Sequence, residues 1–415
     1  MVKRALRLAM LAMLLAGSLI SAGPAQASPG DILVVAEDLP GAPPPGDGAL
    51  IRVNPSTGAQ SVISAGGSFV EPDDVVQASD GTLLVVDANA FTDGAVFRVD
   101  PATGSQTPIA SGAPLDGPNG LAIGPDGYLY VTNGDVQTPI LRVDPDTGVQ
   151  SVVSGPGPLE SPWGIVVGPD GSLLVVETGD GGGVFRVDPK TGAQTPVSTG
   201  GSFANPYDLA VGPDGSILVA DCEAGMSATG GVVKVDPVSG ANTLLGTGGD
   251  FNCPNAAAMD PSGRLLIGNY DDGKVVAVDP QTGVQTLVSS ETLATTAVGM
   301  MVEPFPCGGR LPTFQGTLAP DTIRATSGPD VVAGLGGNDT IKAMGGGDVV
   351  CGGDGNDIVN GGGGKDRLLG ERGRDRLKGA GGNDRLVGGS GKDTCSGGPG
   401  SKDRASACEV EKGVP

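Results

Sequence analysis

The chain has 415 residues, of which 74 are Gly, 34 are Pro, six are Cys and none is His, and its 47 acidic side chains outnumber the 25 basic ones. Because no imidazole is present, the sequence excludes Ser-His-Asp and Cys-His catalysis, histidine proton shuttles and histidine-bound zinc. Gly and Pro make up about a quarter of the chain, which is typical of low-complexity sequence unless a short period organises it, and two such periods are present.

The first 27 residues have the pattern of a secretory signal peptide. Lys3 and Arg4 precede an apolar run over residues 8–20, and the small residues that follow end in Ala25-Gln26-Ala27. The run is short for a membrane-spanning anchor, which is the alternative interpretation, and no later stretch is apolar enough to cross a bilayer. We therefore expect cleavage after Ala27, a secreted, extracellular protein without a membrane span, and three disulfides from the six Cys residues.

A repeat of 43 to 48 residues organises residues 28–303. VNPSTG at Val53 returns as VDPATG, VDPDTG, VDPKTG, VDPVSG and VDPQTG, and the units contain short β-rich runs separated by turns such as GPDG and DPxTG. The period equals one four-stranded propeller blade, so the sequence predicts an all-β protein in which residues 28–303 form a six-bladed β-propeller. We expect residues 297–302 to pair with residues 32–36, because this pairing closes the ring and removes the open sheet edges.

Recurrent PxGxAxGPDGxLxV segments resemble those of NHL and gluconolactonase-type six-bladed propellers. In the gluconolactonase-like enzymes a divalent metal sits at the mouth of the axial channel, where the inner strands begin. The residues after Pro at these starts are Asp73, Asn119, Trp163, Tyr207 and Asn255. Asp73, Asn119 and Asn255 match the oxygen ligands of such a site, whereas Trp163 and Tyr207 depart from it. A metal-dependent hydrolase of the lactonase type is therefore the alternative to the non-enzymatic binding scaffold that we expect.

Two further features concern the loops of the propeller. The polar residues that end the second strands are expected to cap turns, and they are Asp87, Asn133, Glu177, Asp221 and Asn269. The loops beyond them differ in length and chemistry, so they form the candidate binding face for an extracellular ligand or protein.

The propeller has 33 acidic and 8 basic side chains, a net charge of −25. This charge serves solubility, repels nucleic acid and favours cations or basic partners.

A nine-residue period follows a linker at residues 304–320. Asp stands at every ninth position from Asp321 to Asp393, and an apolar residue or Cys comes two positions after each. The pattern GGxGxDxUx, best kept in GGDGND from Gly352 and GGGGKD from Gly361, resembles the repeats-in-toxin (RTX, hemolysin-type) calcium-binding family. The sequence thus predicts a parallel β-roll over residues 321–405, followed by a tail over residues 406–415.

Calcium is the cofactor that this pattern predicts, because Asp supplies the hard anionic oxygen that calcium prefers and Gly permits the positive φ of a tight loop. Two units make one turn, so loops stack at a spacing of eighteen residues and an ion can bridge Asp339 with Asp357. The predicted metal-site residues are Asp330, Asp339, Asp348, Asp357, Asp366, Asp375, Asp384, Asp393, Gly352, Gly353, Gly355, Gly361, Gly362 and Gly364. We expect the tighter sites in the first half of the roll, since basic residues accumulate later and Arg372 could pair with carboxylates in place of calcium.

The positions of the cysteines in the predicted fold suggest their pairing. Cys222 and Cys253 lie on the same face of neighbouring blades, and the other four residues allow three connectivities. We predict the pairs Cys222–Cys253, Cys307–Cys351 and Cys395–Cys408. The function that the sequence favours is a secreted calcium-binding protein in which the propeller is a binding scaffold and calcium stabilises the roll.

Overall fold

The computed structural model describes residues 28–413 apart from 43–46, 180–181, 228, 291–292, 294 and 400–401. The predicted signal peptide, residues 1–27, lies outside the described residues. The described chain forms six four-stranded antiparallel sheets and two six-stranded parallel sheets. A short 3₁₀ turn at Ala224–Met226 is the one helical element among the described residues. The predicted all-β class is therefore confirmed.

The six antiparallel sheets are the blades of the propeller. The first blade contains Ile32–Ala36 (β1), Ala49–Val53 (β2) and Gln60–Ala65 (β3). The second contains Pro72–Gln77 (β4), Leu83–Asp87 (β5), Ala95–Val99 (β6) and Gln106–Ser111 (β7), and the third contains Pro118–Ile123 (β8), Leu129–Asn133 (β9), Ile140–Val143 (β10) and Gln150–Ser154 (β11). The fourth contains Pro162–Val167 (β12), Leu173–Glu177 (β13), Gly183–Val187 (β14) and Gln194–Thr199 (β15).

The last two blades follow the same order. The fifth contains Pro206–Val211 (β16), Ile217–Asp221 (β17), Gly231–Val235 (β18) and Asn242–Thr247 (β19). The sixth contains Pro254–Met259 (β20), Leu265–Asn269 (β21), Val275–Val278 (β22) and Gln285–Ser289 (β23). Gly299–Val302 (β24) then returns to the first blade and pairs antiparallel with β1, with Ile32 opposite Val302. The predicted closure of the ring by its two ends is confirmed.

Apolar strands explain why the blades pack into a ring. The second strand of every blade is buried along its whole length, as in β5 and β13, whereas the outermost strands, such as β11, are mostly half-buried or exposed. Side chains from neighbouring blades share each apolar layer, and Phe69 packs edge-on against Phe97 with ring centroids 5.7 Å apart. Each fully buried Val, Leu or Ile contributes about 1.5–3 kcal/mol, so this core forms without a ligand.

One ion pair recurs in the blades and is buried in the first of them. Arg142 pairs with Asp126 at 3.0 Å in a partly exposed setting, and similar pairs occur in the second, fourth and fifth blades. In the first blade, where β24 supplies the closing strand, Arg52 pairs with Glu303 at 2.9 Å, and both side chains are 4% exposed. Asp31 lies 3.7 Å from the same guanidinium. This cluster links both ends of the propeller chain.

The parallel sheets form the roll, and successive strands alternate between them, so that each eighteen-residue coil contributes one strand to each sheet. One sheet contains Phe314–Gln315 (β25), Val331–Ala333 (β27), Val349–Asp354 (β29), Arg367–Gly373 (β31), Arg385–Gly391 (β33) and Arg404–Ser406 (β35). The other contains Thr322–Arg324 (β26), Thr340–Lys342 (β28), Ile358–Gly363 (β30), Arg376–Gly381 (β32), Thr394–Ser396 (β34) and Val410–Lys412 (β36). The sheets therefore take in β25 and β36, which lie in the segments predicted as linker and tail.

The central core of the roll takes one inward apolar residue from most strands, and Ala333, Val349 and Cys351 form a second buried cluster with Cys307. Residues eighteen apart in sequence pair directly, such as Val332 with Val350 and Ile341 with Val359. These predicted inward positions are buried, and the row ends at Cys395. All three predicted disulfides are present as Cys222–Cys253, Cys307–Cys351 and Cys395–Cys408. The second pair ties the segment before the roll to β29.

Candidate metal centre

Two ladders of aspartates run through the roll, one immediately before the strands of each sheet. The first ladder contains Asp321, Asp339, Asp357, Asp375 and Asp393, and the second contains Asp330, Asp348, Asp366, Asp384 and Asp403. Within a ladder, the backbone N–H of each aspartate donates to Oδ1 of the aspartate in the next coil. The donor–acceptor distance is 2.8 Å from Asp339 to Asp357 and 3.0 Å from Asp348 to Asp366. One oxygen of each of these carboxylates is therefore used by the fold itself.

The other oxygen, Oδ2, is buried without a partner in most of both ladders. This applies to Asp339, Asp348, Asp357, Asp366, Asp375, Asp384, Asp393 and Asp403. These residues are only 1–2% exposed. A buried anionic oxygen that receives no hydrogen bond is costly, because it has lost water and gained nothing in exchange. A bound cation is the group that would compensate these oxygens.

Burial raises the pKa values of the carboxyl groups in the middle of both ladders, from Asp339 to Asp384. Burial raises the pKa of Asp339 to about 7, the N–H donated by Asp321 lowers it in part, and the charge of Asp357 raises it further. Burial likewise raises the pKa of Asp366 and of Asp375 to about 6. The ladders are thus unfavourable places for a negative charge unless a positive charge accompanies it.

The loops before the aspartates have a backbone that glycine adopts readily and other residues do not. The fourth position is Gly in every loop from Gly337 to Gly391, with φ between +102° and +145°. A Cβ on Gly355 or Gly364 would overlap the carbonyl oxygen of the fourth glycine one coil earlier. These loops therefore stack as closely as their backbones allow.

The first and second loop positions are less uniform. A Cβ on Gly352 or Gly361 would overlap Oδ2 of the following ladder aspartate. At the second position Gly353 and Gly362 have φ of +105° and +99°, whereas Leu335, Met344, Glu371 and Ala380 have φ between +72° and +77°. Positive φ is thus kept at the second position even where the residue is not glycine, which indicates that stacking imposes the loop conformation.

The donor set fits calcium. Each loop contributes a single carboxylate to its ladder, and no group of three acidic or thiol side chains placed to hold a metal occurs within the described part of the chain. Calcium takes about six to eight oxygen ligands and accepts backbone carbonyls among them. An ion here would therefore be held by the Oδ2 atoms together with backbone carbonyl oxygens of the glycine loops.

Asp330 differs from the other predicted metal-site aspartates. Its Oδ2 accepts the backbone N–H of Thr326 at 2.9 Å and the Thr326 hydroxyl at 2.8 Å. Asp321 is bonded in the same way by Thr317, at 2.6 and 3.0 Å. In these two loops a threonine satisfies the oxygen that has no partner elsewhere in the ladders.

The expected role of Arg372 is not what the structure shows. Its guanidinium lies 3.5 Å from Asp354, and the two side chains are 77% and 66% exposed. The ladder residue of the same loop, Asp375, keeps an unpartnered Oδ2. Arg372 extends into solvent because its position in β31 faces outward, so it forms a surface ion pair and does not replace a cation in the ladder.

The three predicted oxygen ligands at the propeller mouth have different hydrogen-bond partners. Asp73 is buried, its Oδ2 accepts the N–H of Ala88, and burial together with the charge of Glu37 raises the pKa of its carboxyl group well above the ordinary value. Asn119 donates to the carbonyl of Pro162 at 3.1 Å. Asn255 is 4% exposed and its Oδ1 has no hydrogen-bond partner within the described structure.

Aromatic side chains occupy the remaining two positions of this ring. Trp163 and Tyr207 pack edge-on, with ring centroids 4.8 Å apart. Near the first blade, the hydroxyl of Tyr270 donates to Glu37 at 2.8 Å. The mouth therefore combines an aromatic pair with buried oxygen atoms.

The polar residues at the ends of the second strands are turn caps, as predicted. Asp87 accepts the N–H groups of Val70 and Ala90 at 2.7 and 2.8 Å, and Asn133, Glu177 and Asp221 accept backbone N–H groups of nearby loops in the same way. Asn269 instead donates its side-chain amide to the carbonyl of Asp250 at 2.8 Å. The side-chain oxygens of Asp87, Asn133, Glu177 and Asp221 are thus used by the fold, whereas the buried Oδ1 of Asn269 has no hydrogen-bond partner within the described structure.

Comparison with known families agrees with both the roll and the propeller. The family model for the RTX calcium-binding nonapeptide repeat matches residues 315–350, 343–377 and 369–401. Residues 315–401 are RTX repeats. The ladders and glycine loops of the roll lie within or next to this match, so calcium binding by the RTX roll agrees with the chemistry of its buried oxygens.

The propeller has more distant relatives. Residues 134–300 match the family model of the SMP-30/Gluconolactonase/LRE-like region. A solved structure described as a nidogen/laminin complex shares 15% identity with a TM-score of 0.55, over 67% of this chain and all of the other. TolB from Acinetobacter baumannii shares 16% identity with a TM-score of 0.52, over 66% of this chain and 67% of its own. These likenesses establish the propeller fold alone.

Two further comparisons are negative. No curated protein matches the chain. Among the described residues, no helix has the length and apolar character needed to traverse a bilayer.

Two residues that continue or end the ladders of the RTX roll lie outside the nine-residue period. Asp403 comes ten residues after Asp393, yet its Oδ1 accepts the N–H of Asp384 at 2.9 Å and it continues the second ladder. Glu409 ends the first ladder by accepting the N–H of Asp393 at 2.6 Å. The sequence signal for Asp403 is the segment SGGPGSKD, which keeps the glycines of the loop but contains one additional residue.

Proposed function

We propose that this protein is a secreted calcium-dependent binding protein. Calcium orders the RTX roll, and the propeller presents its variable loops to an extracellular ligand or protein. The proposed calcium binding rests on the eight buried Oδ2 atoms of the two ladders that have no hydrogen-bond partner. Each such oxygen opposes folding in the absence of a cation and would favour it in the presence of calcium.

The direct test is a calcium titration of the chain from residue 28 onward. We expect far-ultraviolet circular dichroism and protease resistance of the roll to increase together with calcium, and we expect magnesium at the same concentration to have little effect. Magnesium requires a smaller, nearly octahedral site, which stacked loops of this kind do not provide. A roll that is equally resistant to protease in chelator and in calcium would contradict the proposal.

The binding role of the propeller is supported by its charge and by one exposed aromatic residue. The variable loop of the second blade carries Phe91, which is 58% exposed with φ of +55°. An exposed aromatic residue held in a strained conformation is a typical anchor for a partner. We expect Phe91→Ser to weaken capture of an extracellular partner in calcium. Val238→Ser is the control, because Val238 is 95% exposed but lies on a DPxTG-type turn.

A lactonase-type hydrolase is the second candidate function. It is supported by the family match over residues 134–300 and by the buried, unpartnered Oδ1 of Asn255 at the mouth. Metal analysis followed by a lactone hydrolysis screen would separate the two candidates. The hydrolase requires a metal and turnover that both disappear in Asp73→Asn and Asn255→Ala, whereas the binding scaffold requires neither.

Secretion is tested independently of either activity. The N-terminal sequence of the protein recovered from culture medium should begin at Ser28, which follows the predicted cleavage site. The three disulfides agree with an oxidising destination.

A further inference from the structure

The two loops at the start of the roll share a motif that the calcium loops lack. Residues 317–321 are TLAPD and residues 326–330 are TSGPD, so each has Thr four positions before the ladder aspartate and Pro immediately before it. The later loops have no Thr at the equivalent place and no Pro before their Asp. The nine-residue spacing of aspartates does not distinguish the two kinds of loop.

Threonine forms the same network of hydrogen bonds in both loops. Thr326 donates its N–H and its hydroxyl to Oδ2 of Asp330, and its hydroxyl oxygen accepts the N–H of Gly328 at 3.1 Å. Thr317 repeats these three contacts with Asp321 and Ala319. The two aspartates are therefore complete without a cation, whereas Oδ2 is unpartnered in the following eight.

Proline excludes the conformation that the calcium loops use. A residue before Pro is restricted to extended conformations, and neither Ala319 nor Gly328 has a positive φ. The glycines at the same position of the later loops have φ between +102° and +145°. The backbone and the side chain thus independently give these loops a form that differs from that of the glycine loops.

The two motifs also cover the first calcium loop of each ladder. A Cβ on Gly337 would overlap the backbone of Ala319 and Pro320, and one on Gly346 would overlap Gly328 and Pro329. The N–H groups of Asp321 and Asp330 donate to Oδ1 of Asp339 and Asp348, both at 2.8 Å. The first aspartate of each ladder thus donates its backbone N–H group to the next coil in the same way as an aspartate of a calcium-bound coil would.

Covalent and backbone contacts hold this first coil in place. Cys307, in the preceding segment, packs against Ala333 of this coil and is held there by its disulfide to Cys351 in β29 of the next coil. The N–H of Leu318 donates to the carbonyl of Pro261 in the sixth blade at 2.5 Å. None of these contacts requires calcium.

From these observations we infer that residues 313–333 are a metal-free cap that stays folded without calcium, and that calcium orders the rest of the roll on this template from its N-terminal end. The inference rests on the proposed calcium binding, and it adds that the calcium-bound coils form in order from the N-terminal end of the roll. Loops 317–321 and 326–330 take no calcium, and the first ions bind at Asp339 and Asp348.

Hydrogen exchange of the chain from residue 28 onward, measured by mass spectrometry of peptides, tests the cap. In chelator, the amides of residues 313–333 should exchange at least about tenfold more slowly than those of residues 364–391, and calcium should protect both segments. Equal, rapid exchange of both in chelator with protection of both in calcium would overturn the cap and leave calcium binding intact. Absence of any calcium response would instead refute the proposed function.

Two single substitutions test whether Thr326 stabilises the cap through its bond to Asp330. Thr326→Val removes the hydroxyl bond to a charged oxygen and should accelerate exchange of the cap in chelator by about tenfold or more. Thr322→Val is the matched control, because Thr322 is exposed one residue after Asp321 and should leave exchange unchanged. Acceleration by both or by neither would contradict the role of Thr326.

A second substitution tests the exclusion of calcium directly. Thr326→Gly combined with Pro329→Asn converts ATSGPD into a loop of the later type. Native mass spectrometry of the calcium-loaded chain should then count one ion more than in the unmodified chain. An unchanged ion count in a folded roll would refute the inference that Thr326 and Pro329 keep calcium out of this loop.

Discussion

A pair of adjacent glycines in one loop of the roll allows a sharp test of the stacked-loop geometry. Gly364 has φ of +134°, and a Cβ there would overlap the carbonyl oxygen of Gly346 in the previous coil. Gly363 has no positive φ, and a Cβ built on it meets no atom within 4 Å. Gly364→Ala and Gly363→Ala therefore add the same methyl group to neighbouring positions with opposite expected consequences.

The expected magnitude follows from the backbone. A non-glycine residue in this region of φ costs about 1–3 kcal/mol in strain, before any displacement of the Gly346 carbonyl is counted. Because about 1.4 kcal/mol corresponds to a tenfold change in an equilibrium constant, Gly364→Ala should raise the calcium concentration at the folding midpoint at least about fivefold. Gly363→Ala should change this midpoint less than about twofold, because the only cost is that of an exposed substitution.

The assay is a calcium titration followed by circular dichroism, with the thermal transition of the propeller as an internal reference. The propeller transition should be the same in both variants, because its core contains no residue of this loop. If the two variants shifted the calcium midpoint equally, the stacking of loops through glycine would be refuted. A shift in Gly363→Ala alone would reverse the assignment of the two positions.

Three further predictions concern the propeller and the end of the roll. Arg52→Ala leaves buried carboxylates uncompensated and should lower the free energy of unfolding of the propeller by about 3–5 kcal/mol in a thermal melt, whereas Arg142→Ala, at a partly exposed pair, should cost about 1 kcal/mol or less. Burial and the nearby charge of Asp74 raise the pKa of Asp208 well above its ordinary value, so the folded propeller binds a proton that the unfolded chain releases. Its stability in chelator should therefore fall as pH rises from about 4 towards neutrality and beyond, and Asp208→Asn should flatten this dependence in melts at pH 5 and 8. Asp403→Asn should weaken calcium binding in isothermal titration, and unchanged affinity and ion count would exclude Asp403 as a ligand.

The architecture could be predicted from the sequence because each of the two repeat periods is typical of one kind of structural unit. A period of 43 to 48 residues with two tight turns per unit specifies a blade, and the unpaired strand at residues 297–302 specifies how the ring closes. The nine-residue period likewise specifies that residues eighteen apart are neighbours, which is the register observed between Val332 and Val350. The disulfides followed from these positions, since their partners lie on adjacent elements.

Details that depend on local conformation were not predictable from the same periods. Asp330 has the spacing of a calcium ligand, but Thr326 and Pro329 alter the loop around it, and this alteration is visible only once the hydrogen bonds to Oδ2 are known. Asp403 was missed for the opposite reason, because one additional residue breaks its spacing while the ladder continues through it. Spacing therefore predicts which residues stack, whereas the residues between the aspartates decide which stacked oxygens need an ion.

The propeller and the roll offset the loss of conformational entropy on folding in different ways. The propeller has apolar layers shared between all its blades, and its ring is closed by β24 and by the buried pair of Arg52 with Glu303. Most strands of the roll bury a single apolar residue, and eight of its carboxylates have an oxygen that the protein does not satisfy. Glycine-rich loops lose much backbone entropy on ordering, so such a domain lacks a reserve of stability without ions. Under the proposed function, calcium concentration therefore controls the order of the roll but not that of the propeller, so that a binding face on the propeller would keep its shape on both sides of that transition.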